Sequence, residues 1–451
     1  MTVVSSAWSP TSVCQSERDQ IQHCIHEVAH RLRNPEHVLD MGRIAKEQSQ
    51  YHAWIPDRLQ SLAEGSAGLA LLYGELHHLW PDEGWERTAR VYFDLIPTEQ
   101  VDEGRYRFGL FFGAFGRFSV AQQLSHLIPE EELYRQDCQR ALERLLRDLA
   151  KSRTMLVDGH PHPGHYNLFT GVLGIGASLL TLAQGGPPSF ALRTLLAHLC
   201  WLGQRDGTRD GEEYMQWYHH PGLRQRQERW HALESAYTGY GMRRGIAGLI
   251  AFFCLVFQHA PDADRADILE TLPPLVHQLQ EGLHHEAENA SWVCKEESDD
   301  YHPQKAYSSL SWCSGLSGSA YALWLAGHVL QQTTLQEEAL RMLQTVGERA
   351  RHQHQLAGPG LCHGIGGALQ VCARVANETR DPILMENVHQ MMQTVVGQFE
   401  QDRPFGYRAV EPEFIRVDSP WLLEGAAGVA LALLTVIRPD APSWDRLLLL
   451  S

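Results

Sequence analysis

Leucines recur at three- and four-residue spacing along CQRALERLLRDLAKS, RADILETLPPLVHQLQEGL and LQEEALRMLQTVGERARHQHQ, with charges on the opposite side. That spacing predicts amphipathic helices with one buried face. Other segments have no polar face. LIAFFCLVF and VALALLTVI are apolar all round, which predicts helices enclosed by protein on every side. These enclosed runs share one beginning, a pair of glycines separated by two residues. The copies are EGSAGLALLYGEL, FFGAFGRFSVAQQL, FTGVLGIGASLLTLA, RRGIAGLIAFFCLVF, CSGLSGSAYALWLA, CHGIGGALQVCARVA and EGAAGVALALLTVI, with first glycines Gly65, Gly113, Gly171, Gly245, Gly315, Gly364 and Gly425.

Successive copies lie 48 to 74 residues apart, which is room for two helices and their loops. The repeated unit is therefore an enclosed helix followed by an amphipathic one. Small residues at the start of each enclosed helix suit a place where backbones crowd together. Seven inner helices converging on an axis and seven outer ones sheathing them make a closed ring. The expected fold is all-α, a seven-fold α/α toroid over residues 59–451, with an N-terminal helical lead-in over 1–58. The glycine turns gather at one end of the ring, where loop residues are open to function. The longest interval contains GTRDGEEYMQWYHHPGLRQRQERW, which lacks a clean helical face. It reads as an inserted lobe or long loop over 186–236.

Composition narrows the function classes. The chain has 451 residues, 43% of them apolar and 20% charged, an ordinary globular balance. A net charge of −16 argues against nucleic acid as a partner. Nine cysteines without framework spacing point to free thiols in a reducing compartment. MTVVSSAWSPTSVC has no basic start followed by an apolar block, so no signal peptide is expected. The longest apolar runs are roughly half of what a bilayer requires. A soluble cytoplasmic protein with no membrane span is the expectation.

Two turns carry chemistry. SLSWCSGLSG and GPGLCHGIGG place Cys313 and the pair Cys362 and His363 just ahead of their glycines. Two sulfurs and an imidazole form a zinc set, and three protein ligands leave one position open for a substrate that is itself a metal ligand. Cys254 and Cys372 lie inside apolar runs and read as core thiols.

Seven glycine turns in order, WCSG and CHG at the fifth and sixth, and LLEGAAGVALALL at the seventh together resemble the lanthionine synthetase C-like family, from about Leu59 to the C-terminus. The resemblance implies an α/α toroid with one central zinc ion, and often a small lobe inserted in the barrel. It also implies a reaction, the addition of a cysteine thiol to dehydroalanine or dehydrobutyrine in a ribosomal precursor peptide to give a thioether ring. It brings in a dehydratase and a peptide exporter as further partners. A free thiol is mostly protonated at neutral pH, and coordination favours the reactive thiolate. Attack at the β-carbon leaves an enolate, so the oxygen needs a stabiliser and the α-carbon an acid.

Three positions depart from the family pattern, which has an aspartate before the third glycine turn, a histidine before the fourth, and an arginine ahead of the first zinc cysteine. Here Asn167, Arg244 and Ser309 stand there. Asn167 does not titrate and reads as a hydrogen-bonding orienter. Arg244 is no base at neutral pH, yet suits a developing enolate oxygen; pairing with Glu234 is the structural alternative. His165 is a candidate displaced acid. The leading expectation is a zinc-dependent thioether cyclase with altered acid–base residues. The alternatives are a degenerate zinc protein acting as a peptide scaffold, and an enzyme adding glutathione or another small thiol. A carbohydrate-active toroid would want paired carboxylates at the turns; Glu64 and Glu424 precede glycines there and read as turn residues.

Overall fold

The computed structural model describes residues 8–49, 61–97, 109–113, 115–129, 131–151, 167–183, 189–204, 208–209, 212–213, 240–243, 245–288, 310–352, 358–411 and 414–451. Seven inner helices follow the seven glycine turns: α3 (Ser66–Leu79), α5 (Phe115–Leu127), α7 (Val172–Leu180), α9 (Ile246–Phe257), α11 (Leu316–Val329), α13 (Ile365–Thr379) and α15 (Ala426–Ile437). Each packs against the next, and α15 packs back on α3, so the ring closes. Enclosure explains their composition. Every residue of α15 is buried, as are residues 246–256 of α9.

Six outer helices sheathe them: α4 (Trp85–Asp94), α6 (Glu132–Lys151), α8 (Phe190–Gly203), α10 (Asp262–Glu288), α12 (Thr333–His352) and α14 (Pro382–Gly397). Within α10, Pro273 and Pro274 face solvent, where water can satisfy the carbonyls they release. The seventh outer place is filled from the other end of the chain. Helix α1 (Gln15–Arg31), followed by α2 (Pro35–Gln48), packs along α15. Trp8 Nε1 donates to the Thr435 carbonyl at 2.8 Å, and Tyr73 and Tyr92 donate to the carbonyls of Ala29 and Leu32, each at 2.6 Å. The segment that reads as a lead-in thus completes the sheath. Of the lobe expected over 186–236, residues 190–203 form α8; beyond Gln204 only the strands β1 (Thr208–Arg209) and β2 (Glu212–Glu213) are among the described residues. A second hairpin, β3 (Ala409–Val410) and β4 (Arg416–Val417), precedes the last glycine turn. Among the described residues no helix is long and apolar enough to cross a membrane.

Side-chain chemistry seals the ring and fills it. Where α15 meets α3, Arg438 pairs with Glu75 at 2.9 Å, both essentially without solvent contact. After α15 the chain folds into the middle of the barrel. Trp444, Leu447, Leu448, Leu449 and Leu450 are buried there. Trp312 Nε1 donates to the Leu448 carbonyl at 3.1 Å, and Tyr321 to that of Leu450 at 2.6 Å. Asp445 accepts from Gln370 and Arg374 of α13, each at 2.7 Å. Trp312 lies on the turn before α11, Tyr321 on α11, and Gln370 and Arg374 on α13, so the segment ties neighbouring repeats together as a plug in the barrel.

Removing Glu75 takes from Arg438 its one fully buried partner and leaves it, among the described residues, only Asp440, half-exposed and 3.2 Å away. Glu75→Ala is expected to cost about 3–5 kcal/mol in urea unfolding, whereas Glu75→Leu with Arg438→Met should recover most of that loss.

Candidate metal centre

The glycine turns are welded to one another by main-chain hydrogen bonds. Taking the residue two before each first glycine, Ala63 donates to the carbonyl of Phe111 (3.1 Å) and Phe111 to Phe169 (3.1 Å). Arg243 donates to Cys313 (2.9 Å), Cys313 to Cys362 (3.5 Å), Cys362 to Leu423 (2.9 Å), and Leu423 back to Ala63 (3.3 Å). The remaining link shifts by one residue, with Leu168 donating to the Arg243 carbonyl at 2.8 Å. In six of the pairs the second glycine is what lets the turn lie on its helix. A Cβ at Gly174, Gly248, Gly318, Gly367 or Gly428 would collide with the carbonyl oxygen of Leu168, Met242, Trp312, Leu361 or Leu422.

This hydrogen-bonded ring sets the level of the site. Going round it, the side chains are Ala63, Phe111, Phe169, Arg243, Cys313, Cys362 and Leu423. One half is apolar. Phe111 and Phe169 pack with centroids 4.5 Å apart, and Trp312 stacks on Phe169 at 6.1 Å. The other half holds Arg243 and the two sulfurs. Cys313 and Cys362 are buried, His363 follows on the same turn, and the three ligand atoms all lie within 4.8 Å of one another. Cys313 Sγ is 3.3 Å from His363 Nε2, close to the separation of about 3.5 Å between neighbouring corners of a tetrahedral zinc set. His363 Nδ1–H donates to Glu424 Oε1, so the ring presents Nε2 to the sulfurs. This is the carboxylate–histidine arrangement that fixes a ligand's tautomer. The donor set fits a zinc ion.

Electrostatics prepare the same three groups. Burial disfavours a Cys313 thiolate, but the Cys362 thiol bonding to it and the adjacent His363 push its titration well below the ordinary range. Burial likewise opposes a charged His363, yet Cys313 and Glu424 hold it well above its usual value. Burial and the neighbouring Cys313 drive Cys362 upward. These directions favour a thiolate at Cys313 beside a charged His363, and a bound divalent cation would take the place of the proton.

Other site residues fall into place unevenly. Asn167 is buried and its Oδ1 accepts from the N–H groups of Phe169 (2.8 Å) and Thr170 (3.2 Å), capping its own turn. It does so at the link where the ring shifts by one residue. Ser61 and Ser311, at the same place in their repeats, cap Glu64 and Ser314 through their hydroxyls. Arg244 and His165 lie outside the described residues, as do Ser309 and Glu234. Sequence reasoning missed Glu424, taken there for a turn residue. Aligned copies carry the signal, because Glu424 occupies in the seventh repeat the place of His363 in the sixth. Glu64 holds that place in the first repeat. Burial pushes its carboxyl up to about 8, with repulsion from Glu424 and Glu411 adding to the shift and Lys46 opposing it. Eight cysteines among the described residues are free thiols, and Cys254 and Cys372 are buried with their thiols pushed up by that burial.

Comparison with known proteins follows the geometry. No curated protein matches this chain in sequence. Among solved structures, one titled nisin cyclase superposes with a TM-score of 0.61 at 15% identity, over 91% of this chain and 96% of that one, which places the fold among α/α toroids of that kind. The family model described as lanthionine synthetase C-like protein matches residues 57–449, nearly the whole toroid. The chain belongs to the lanthionine synthetase C-like family.

Proposed function

We propose that this protein is a zinc-dependent cyclase that adds cysteine thiols to dehydroalanine or dehydrobutyrine in a dehydrated ribosomal precursor peptide, in the cytoplasm and alongside a dehydratase and an exporter. The observation that carries the reading is the cluster of Cys313, Cys362 and His363 on adjoining turns, with the His363 tautomer set by Glu424. Zinc held by those three residues would supply a Lewis-acid site where a substrate cysteine loses its proton and remains a nucleophile. The chain's own residues do the rest. Phe111 and Phe169 of the ring, with Trp312 packed on them, are buried and give the site a dry, apolar floor suited to the apolar dehydro residue. Glu64, on the turn next to that of Glu424, has its carboxyl pushed up to about 8 by burial and is the acid this reading assigns to the α-carbon. Asn167 holds the third turn in shape. Arg244 and His165 keep their sequence-based assignments, enolate partner and auxiliary acid, as part of the same proposal.

The scaffold alternative draws on the sequence: Asn167 stands where the family pattern has an aspartate, and an amide does not titrate. Mixing the protein with a dehydrated precursor and counting free thiols separates the readings. A cyclase consumes thiols without a change of mass, whereas a scaffold binds the peptide and leaves them.

Cys362→Ala is expected to abolish bound zinc, measured by elemental analysis, together with thiol consumption; full cyclisation without zinc overturns the metal assignment. Glu424→Gln should weaken zinc affinity about 10- to 100-fold in a chelator competition while the fold survives. Because Glu64 must be protonated to act, turnover should fall as pH rises through about 8. Glu64→Gln should remove that alkaline limb and lower the rate at pH 7 roughly 10²- to 10⁴-fold with zinc content intact; an unchanged profile assigns the limb elsewhere.

A further inference from the structure

We infer that the Ser314 hydroxyl donates a hydrogen bond to the Cys313 sulfur and so mutes it as a nucleophile. The substrate's sulfur, not the protein's, is then the one that adds to the dehydro residue. This role rests on the zinc cyclase reading above, and Ser314 serves it as a positioning residue acting through Cys313. Ser314 Oγ lies 3.5 Å from Cys313 Sγ and 3.2 Å from Ser311 Oγ. Ser314 holds in the fifth repeat the place just before the first glycine that His363 and Glu424 hold in the sixth and seventh. In the described copies that place is partly open to solvent, while the residue before it is buried. Three consecutive side chains of this outer level address the metal set: Ser314 touches Cys313, His363 is itself a ligand, and Glu424 touches His363.

The direction of the bond follows from counting protons. Ser311 has no solvent contact. Its Oγ accepts from the Ser314 N–H at 3.2 Å, and its own proton has one acceptor among the described residues, Ser314 Oγ. A buried hydroxyl without an acceptor is unfavourable, so Ser311 donates to Ser314. The Ser314 proton is then turned away from Ser311 and toward the sulfur. The first repeat shows the other solution. There Ser61 caps Glu64 in the same way, at 2.9 Å, but gives its proton to the Phe111 carbonyl of the ring, also at 2.9 Å. A turn held for its shape alone needs the cap and not the relay. A hydroxyl bonded to a thiolate draws charge from the sulfur and lowers its nucleophilicity. That matters where a dehydro residue meets the sulfurs of Cys313 and Cys362 as well as that of the substrate. Attack by Cys313 would form a sulfur–carbon bond at the β-carbon and move the double-bond pair to the α-carbon, which takes a proton from water. The protein would be left alkylated and one ligand short.

Two readouts separate this role from turn shape, and neither is turnover. In protein reloaded with Co²⁺, the sulfur-to-cobalt absorption reports the charge on the ligand sulfurs. Ser314→Ala is expected to move that band to longer wavelength, and Ser314→Thr, which keeps a hydroxyl, to leave it in place. The zinc-loaded proteins are then incubated with N-acetyldehydroalanine amide and no added thiol. Adducts are located by peptide mass mapping, with the exposed Cys14 as internal reference. Cys313 should take up the acceptor about tenfold faster in Ser314→Ala than in the wild type or Ser314→Thr. An unmoved band or unchanged labelling of Cys313 overturns the proposal. So does a shift of equal size in Ser314→Thr, or loss of the metal from Ser314→Ala, because either makes Ser314 a prop for the turn. A wild type without a sulfur-to-cobalt band sinks the metal assignment and this role together. Should the band move and Cys313 be labelled as expected while the wild type closes no thioether in a dehydrated precursor, the cyclase reading fails and the muting of Cys313 stands.

Discussion

Everything at the functional end of this protein depends on seven peptide groups hydrogen-bonding to one another around an axis. A closed ring of backbone bonds fixes the height and angle of each turn relative to its two neighbours. Two cysteines 49 residues apart in sequence are thereby next-door neighbours, joined by the bond from Cys313 N–H to the Cys362 carbonyl. The cluster of two sulfurs and an imidazole is a by-product of repeat geometry, requiring no dedicated scaffold. The glycines serve that geometry, since a methyl group at the second glycine of six of the pairs would meet the carbonyl oxygen of its own turn.

The ring is also polarised. Its aromatic half and its sulfur half meet at Arg243 on one side and at the small or aliphatic residues Ala63 and Leu423 on the other. Beneath it lies a plug of buried leucines and Trp444, tied to the site through the Trp312 indole. A solid floor under the turns confines any ligand to the mouth of the barrel. It also makes the local dielectric low, which is why burial is the leading influence on Cys313, Cys362, His363 and Glu64 alike.

Much of this is visible in the chain itself, for identifiable reasons. Seven copies of one glycine pattern report seven equivalent backbone environments, so the toroid and the meeting of Cys313, Cys362 and His363 follow from periodicity. What periodicity hides is pairing between the ends of the chain. Helix α1 looks like a lead-in because nothing local tells it that its apolar face belongs against α15. Glu424 was hidden differently: a glutamate before a glycine is unremarkable alone and becomes meaningful only when the copies are set in register beside His363. Asn167 shows the converse, where a residue singled out for chemistry is found holding its own loop.

The joining of the first and last helices has a consequence for how the molecule is made. Trp8 and its partner Thr435 are separated by 427 positions, so during synthesis the earliest helix emerges long before its docking site exists. Until the seventh repeat leaves the ribosome, one flank of α3 and one face of α1 remain uncovered, and the nascent chain is an open crescent with sticky edges. Such a topology favours late, cooperative closure and makes the growing polypeptide a natural client for chaperones.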